Sequence, residues 1–270
     1  MRRWLEGHHL PGKMAGFVPT MGALHQGHIA LVNQARAEND ITGCSIFVNP
    51  IQFNNPEDLE KYPRTLEEDL RMLHGAGCDI VFTPTVPEMY PEPVSTIYNF
   101  GPLEKVMEGK YRPGHFNGVA VVVKKLFDVF MPDRAYFGEK DFQQLRIIQA
   151  LVQMEEIPVE IVPCPTVREV DGLAMSSRNR RLTTEERAIA PAIYRTMLEV
   201  KDLAGKMSPT VLKQLAEKRL AESGFIVDYV EIASANDLQP LSDWRNNEPV
   251  RIFVACFLGK VRLIDNLEII

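Results

Sequence analysis

The stretch Phe17-Val-Pro-Thr-Met-Gly-Ala-Leu-His25-Gln-Gly-His28 constrains this chain more than any other. Gly16-Phe17-Val18 is a short apolar run that predicts a buried strand, stopped by Pro19 because proline has no N–H to donate. Gly22 and Gly27 permit tight backbone paths that a side chain would block. Ile29, Leu31, Val32 and Ala35 then recur at helical spacing and predict a helix from His28 to Asn39. A helix start after a parallel strand binds anions, because its unpaired N–H groups and its dipole both point at the ligand. His25 and His28 are three residues apart, so a helical first turn puts them on one face. Two imidazoles aimed at bound phosphate can donate hydrogen bonds to charge as it develops. The same pair also fits an ordinary polar surface, or a zinc site whose third ligand no Cys/His cluster supplies.

The remaining chain alternates strands with helices. Ile41 to Val48 predicts a second buried strand, ending in Asn49-Pro50-Ile51-Gln52-Phe53. In open α/β sheets, ligands sit at that carboxyl end. Pro63-Arg64-Thr65 opens a helix from Leu66 to His74, with Leu66, Leu70 and Leu73 expected inward. Glu67, Glu68 and Asp69 crowd its first turn. Acids there either stabilise the helix start or, for Glu68 and Asp69, offer hard oxygens to Mg²⁺ beside substrate phosphates. Asp79 to Phe82 predicts a third strand, and Pro84 to Phe100 a long Pro-rich loop of the kind that is often functional. Lys110 and Arg112 are phosphate clamps or plain surface charge. Gly118 to Phe130 predicts a buried helix, Arg134 to Phe137 a fourth strand, and Phe142 to Met154 a helix after Gly138-Glu139-Lys140-Asp141. Here again a strand end meets a glycine and a helix start, with Lys140 placed to reach phosphate and Gln144 on the first turn. Pro158 to Pro163 predicts a fifth strand. Thr166 to Ala174 predicts a hairpin with Asp171-Gly172 as its turn.

Strands alternating with helices imply a right-handed βαβ parallel sheet, placing the chain in the α/β class. After Asn179 the pattern changes. Helices are expected from Thr183 to Ala204 and from Thr210 to Ser223, then strands over 226–233, 251–257 and 261–266. The expectation is a first domain over 1–176 and a smaller α+β lid domain over 177–270.

Composition narrows the function. The 270 residues carry a net charge of −6 and are 45% hydrophobic, enough for a sizeable core. The acidic balance argues against nucleic acid as a partner, whose binder would be basic. Cys44, Cys78, Cys164 and Cys256 are dispersed without a C-x-x-C pair, the pattern of reduced thiols in a cytoplasmic protein. No apolar run reaches the length of a membrane span. The amino terminus, a polar lead-in with room for one helical turn before Pro11, lacks the apolar region of a secretory signal.

Pro19-Thr-Met-Gly-Ala-Leu-His25-Gln-Gly-His28 resembles the HxGH signature of the nucleotidyl-transfer superfamily, and its longer form resembles that of the pantothenate synthetase (pantoate–β-alanine ligase) family. FVNPIQF, FGEKDFQQL and AMSSRN are similar to further motifs of that family, as are YPRTLEEDL and EGKYRPGHFNGV. Met175-Ser176-Ser177-Arg178-Asn179 resembles the superfamily's second signature, a loop that closes on ATP phosphates. The resemblance implies a Rossmann-like first domain with a smaller hinged second one, ATP as substrate with Mg²⁺, a homodimer, and condensation of (R)-pantoate with β-alanine through pantoyl adenylate. It implies that Pro19, Thr20, Met21, Gly22, Ala23, Leu24, His25, Gln26, Gly27 and His28 line ATP, with His28 as proton donor. Gly138, Glu139, Lys140 and Asp141 would hold ribose and phosphate, the backbone at Val167 adenine, and Met175, Ser176, Ser177 and Arg178 the phosphates. His25, His28, Lys140 and Arg178 would be the catalytic set. Gln52 and Gln144 would bind pantoate, since each offers a donor and an acceptor to a hydroxy acid. A nucleotidylyltransferase acting on a phosphate ester shares HxGH and Ser-Ser-Arg but not the paired glutamines. A non-catalytic nucleotide-binding module would not require both His28 and Lys140.

Overall fold

In the computed structural model, which describes residues 12–245 and 247–270, strands β1 (Ala15–Thr20), β2 (Ile41–Ile46), β3 (Ile80–Phe82), β4 (Arg134–Gly138) and β5 (Glu160–Cys164) form one parallel sheet. Its order is β3-β2-β1-β4-β5. The helical turn anticipated before Pro11 lies outside the described residues. Helices α1 (Gln26–Glu38), α2 (Leu66–Gly75), α3 (His115–Phe130) and α4 (Phe142–Met154) connect these strands. The second sheet is antiparallel and contains β6 (Ile226–Ser234), β7 (Val250–Leu258) and β8 (Val261–Glu268) in that order. Helices α5 (Ala192–Leu203) and α6 (Pro209–Glu222) precede it in the chain.

The chain divides into two compact units. One comprises the described residues up to Phe100 with Arg112–Glu139 and Gln144–Pro165; the other comprises Gly101–Tyr111, Lys140–Gln143 and the described residues from Thr166 to Ile270. The hairpin after Pro165 therefore belongs with the second unit, whereas the sequence reading keeps it in the first. The physical reason is Arg168, which bonds to Asp265 of β8 at 2.6 and 3.0 Å.

In the first unit, Val18, Leu24, Val32, Cys44, Leu73 and Tyr136 pack into one buried cluster. Phe17 of β1 stacks on Phe130 of α3 with centroids 4.4 Å apart. Gly43 leaves the room for that ring, since a Cβ there would lie 2.1 Å from Phe130 Cε2. In the second unit, Ile193, Met197 and Val200 of α5 and Leu212, Ala216 and Leu220 of α6 bury against Val230, Ile252 and Val254.

Several local expectations are corrected. Strand β1 continues through Pro19, which pairs with Ser45. Its missing donor is tolerated because the ladder to β4 spans only Gly16 and Phe17. Helix α1 starts at Gln26 rather than His28, and α3 at His115 rather than Gly118. Leu66 and Leu70 are exposed, and only Leu73 of that trio is buried; Asp69 takes the inward place one turn before it. The stretch 84–100 contains a short helix, Val86–Met89, with a capping box from Thr85 and Glu88. The helix anticipated over 183–204 is two, Thr184–Ile189 and α5, because Pro191 removes a donor between them. The hairpin turns at Val170-Asp171, with Gly172 N–H bonded to Glu169 O at 2.9 Å and Gly172 in the left-handed region. This is a three-residue loop, not a two-residue Asp-Gly turn.

Phe130→Ala is expected to destabilise the protein by about 3–5 kcal/mol, the usual cost of emptying a buried aromatic site. A urea unfolding midpoint equal to wild type would contradict that packing.

Candidate active site

The strand order of the first sheet reverses between β1 and β4, and in doubly wound sheets ligands bind at that point, beyond the carboxyl ends. Strand β1 delivers the loop Met21–His25 there, and β4 delivers Gly138 and Glu139. His25 is not in a helical turn as expected. It is the N-cap of α1, with extended backbone, and its Nδ1 accepts from Gly27 N–H at 3.1 Å. His28 Nδ1 accepts in return from His25 N–H at 3.2 Å, closing a capping box made of two imidazoles. The rings lie 4.0 Å apart between centroids. An Nδ1 that accepts a hydrogen bond is unprotonated, so each neutral ring carries its proton on Nε2. The pair is thus built to present Nε2–H donors.

The loop before this cap runs through left-handed backbone at Gly22 (φ 77°) and Ala23 (φ 51°). Asp69 of α2, 1% exposed, holds it there. Its carboxylate accepts from Ala23 N–H at 2.9 Å and Leu24 N–H at 2.8 Å, and from Thr65 Oγ1 at 3.2 Å. Gly22 is required beside it, because a Cβ would lie 2.9 Å from Asp69 Oδ2. Pro19 and Thr20 end β1, and Thr20 Oγ1 anchors the loop by donating to Ser45 O at 2.6 Å. Gln26 and Gly27 form the first turn of α1.

Gln52 is buried in a one-turn helix, Pro50–Gln52. Its Oε1 accepts from Asn49 Nδ2 at 3.0 Å, and its Nε2 points at Met21 Sδ, 3.1 Å away. Asn49 is itself set by Gly118 O at 3.0 Å and by the Tyr90 hydroxyl at 2.8 Å. Burial pushes the Tyr90 phenol well up, so it stays a donor. His115 Nδ1 meets Gln52 O at 2.8 Å, and Arg112 meets His115 Nε2 at 3.2 Å. Arginine only donates, which fixes the tautomer with His115 Nδ1–H donating to Gln52. Sequence reasoning missed Asn49, Tyr90 and His115 as supports of Gln52; the asparagine in FVNPIQF is the one signal that marks the place. Gln144 sits half-buried on the first turn of α4.

The second unit has an open pocket of its own, lined by Lys140, Ser176 and Arg178 together with Arg262 and Asp265. Ser176 caps the turn Ser177–Arg181 by accepting from Arg178 N–H at 3.3 Å. Val167 O accepts from Met175 N–H at 3.0 Å, tying the residue expected at adenine to the start of the Ser-Ser-Arg loop. Asp141 lies 3.9 Å from Lys140 Nζ. Burial raises the Asp265 carboxyl, against the pull of Arg168 beside it.

The sequence model of the pantoate-beta-alanine ligase family matches residues 1–268. The chain belongs to that family. It is 51% identical to the pantothenate synthetase of Porphyromonas gingivalis strain W83 over 95% of its own length and 92% of the relative's. The pantothenate synthetase of Bacteroides thetaiotaomicron is 48% identical over the same shares. Among solved structures, that of pantothenate synthetase from Thermus thermophilus superposes with a TM-score of 0.91 at 48% identity, covering 97% of this chain and 95% of that one. The pantoate-beta-alanine ligase of Francisella tularensis, complexed with beta-gamma ATP and beta-alanine, gives 0.81 at 40% identity, covering 96% and 91%. The chain is therefore an enzyme of the pantoate–β-alanine ligase family, a ligase of pantothenate biosynthesis.

For such a ligase Glu68 and Asp69 do not fit the expected Mg²⁺ site. Both Asp69 oxygens are engaged by backbone N–H groups, and Glu68 is exposed on another face of α2. Among the described residues no group of three His, Cys, Asp or Glu converges on a metal position. The four cysteines are free thiols. Burial pushes all of them up, Cys78 to about 11 and Cys164 and Cys256 to about 12, so none is a thiolate nucleophile at neutral pH. No helix among the described residues is long and apolar enough to cross a membrane.

Asp69→Asn is expected to raise the KM for ATP about tenfold, since one buried N–H loses its acceptor, while the Mg²⁺ concentration for half-maximal rate stays at the wild-type value. A defect that excess Mg²⁺ repairs would restore Asp69 as a metal ligand.

Proposed function

We propose that the ligase works through pantoyl adenylate. The pantoate carboxylate attacks the α-phosphorus of ATP and the bond to the β-phosphate oxygen breaks, releasing pyrophosphate. The β-alanine amine then attacks the acyl carbon, the acyl–phosphate bond breaks, and AMP leaves with pantothenate formed. Both displacements need an aligned nucleophile and neutralised phosphate more than covalent help. The observation that carries this reading is the His25–His28 capping box at the sheet's switch point, whose Nε2–H groups would donate to phosphate charge as it develops. The Francisella relative's bound ATP analogue and β-alanine support the same substrates here.

His28 serves as hydrogen-bond donor, through Nε2–H, to the leaving phosphate oxygen, and His25 as its companion on the phosphates. Lys140 and Arg178 neutralise phosphate charge, with hydroxyl donors from Ser176 and Ser177. Gly138, Glu139 and Asp141 hold the ribose, the backbone at Val167 meets adenine, and Met175–Asn179 closes over the nucleotide. Gln52 and Gln144 bind the hydroxy acid. Mg²⁺, carried on the nucleotide's own phosphates, supplies further neutralisation when bound. The enzyme acts as a cytoplasmic homodimer.

The deciding experiment is pantoate-dependent exchange of labelled pyrophosphate into ATP, followed by AMP release on adding β-alanine. Exchange that does not need pantoate would overturn the reading. His28→Ala is expected to slow exchange by about 10²–10³-fold, the usual size for losing one donor to developing charge. Gln52→Ala and Gln144→Ala are expected to weaken pantoate binding by about 1–3 kcal/mol in calorimetry, with ATP binding little changed. Equal losses for both ligands would make the glutamines structural.

A further inference from the structure

Asn266 lies on β8, 3% exposed, and has four polar groups, each bonded to a different partner. Its backbone N–H donates to Asp265 Oδ1 at 2.8 Å, and its carbonyl accepts from Arg168 Nη2 at 3.3 Å. Its side-chain Oδ1 accepts from Arg251 Nη1 at 2.8 Å, and its Nδ2 donates to the backbone carbonyl of Lys140 at 2.9 Å. Arg251 is held from its other sides by Glu268 at 3.3 Å and by the Phe142 ring at 4.1 Å. Asp265, the preceding residue, takes Arg168 through both oxygens. Arg168 in turn donates to Gly172 O at 3.1 Å, lies 4.0 Å over the Tyr194 ring, and pairs with Ala174.

Two segments far apart in sequence are thereby tied to adjacent residues of one strand. Asn266 grips the segment that carries Lys140. Asp265 grips the hairpin that leads through Met175 into Ser176 and Arg178. Lys140, Ser176 and Arg178 then line one pocket. The Lys140 ammonium stands on a flexible four-carbon stem, so the place it can reach is set by its backbone. Asn266 Nδ2 is the side-chain donor that fixes that backbone through its carbonyl.

We propose that Asn266 is a positioning residue for adenylation: through the Lys140 carbonyl, it sets the Lys140 ammonium in register with the Ser176–Arg178 loop, which the Asp265–Arg168 pair holds, for the nucleotide phosphates. The inference rests on the functional reading above for the roles of Lys140 and Arg178. Sequence reading gives no sign of it, because Val261–Asn266 looks like an ordinary strand.

Asn266→Asp separates this role from a merely structural one. The carboxylate keeps an acceptor for Arg251 but replaces the donor to Lys140 with a second acceptor that repels its carbonyl. A residue needed only to satisfy Arg251 would tolerate Asp and fail as Ala. A positioning residue fails as both. The expected result is a fall of about 10- to 100-fold in kcat/KM for ATP in pyrophosphate exchange, the size expected when a catalytic group is misplaced by about 1 Å. The pantoate dissociation constant, measured by calorimetry, should stay within about twofold. In a double-mutant cycle, Lys140→Ala with Asn266→Asp should be no slower than Lys140→Ala alone, because Asn266 acts through Lys140. Asn266→Ser, which shortens the side chain without adding charge, serves the same cycle if the Asp variant does not fold. Wild-type exchange rates in Asn266→Asp, or losses that add fully to those of Lys140→Ala, would overturn the inference and leave the functional reading standing. Absence of pantoate-dependent exchange in the wild-type enzyme would overturn both.

Discussion

Ala23 and Leu24 turn their N–H groups into the protein, where no water reaches them, and the carboxylate of Asp69 takes both. The rest of the first unit's chemistry depends on that contact. A loop with consecutive left-handed residues at Gly22 and Ala23 is costly by itself, and persists only where its surroundings over-determine it. Hydrogen bonds to a charged acceptor supply that determination, because they are about twice as strong as neutral ones. Thr65 steadies the carboxylate from the start of the same helix. The path of the loop then decides where His25 can cap α1, and the cap decides how both imidazoles are turned.

The choice of histidine as a cap is informative. Serine, threonine or aspartate at this position would satisfy the helix start at least as well. What they would not provide is a second polar atom on the far side of a rigid ring. With Nδ1 of each ring committed to a backbone N–H, rotamer and tautomer are both fixed before any ligand arrives. Donors that need no reorganisation as charge develops are the ones that lower a barrier. The capping box thus fixes the orientation of both rings as well as the start of the helix.

What is legible in the sequence follows how local each cause is. The alternation of apolar runs with helical periods reveals the parallel sheet and the antiparallel unit after Asn179, because burial periodicity is written in neighbouring residues. The glycines, histidines and Lys140 mark the strand ends that carry the candidate site. The errors come where a distant residue decides the outcome. Asp69 takes an inward position because the loop after β1 needs an acceptor, and α2 therefore buries a charge at a place where its pattern promises a leucine. Two acids in one helical turn suggest a metal, yet the partners of Asp69 are backbone amides more than forty residues away. Arg168 gives no local sign of its pairing with Asp265, so the sequence alone leaves the hairpin on the other side of the expected boundary. Pro191 is a local signal of a helix break, masked by the apolar periodicity that runs across it.

The surroundings of Gln52 show how a neutral side chain is held in one orientation. A glutamine amide can flip, offering donor or acceptor to the same spot. Here Asn49 donates to Oε1, and Asn49 cannot flip in turn, because the Tyr90 hydroxyl donates to its oxygen and the Gly118 carbonyl accepts from its nitrogen. The orientation of Gln52 is therefore determined by a chain of buried partners. Among the described residues, its strong donor, Nε2, faces only a thioether, which is a weak acceptor. An oxygen arriving near Met21 would replace that sulfur contact with a better bond, and no protein–protein hydrogen bond of comparable strength would be lost. A ligand hydroxyl or carboxylate gains from this arrangement, whereas an apolar group would leave the buried amide without a good partner, which costs about 1–3 kcal/mol. A preference of the Gln52 amide for an oxygen partner over an apolar one is thus built into a network of which sequence reading marks Gln52 and the asparagine near it.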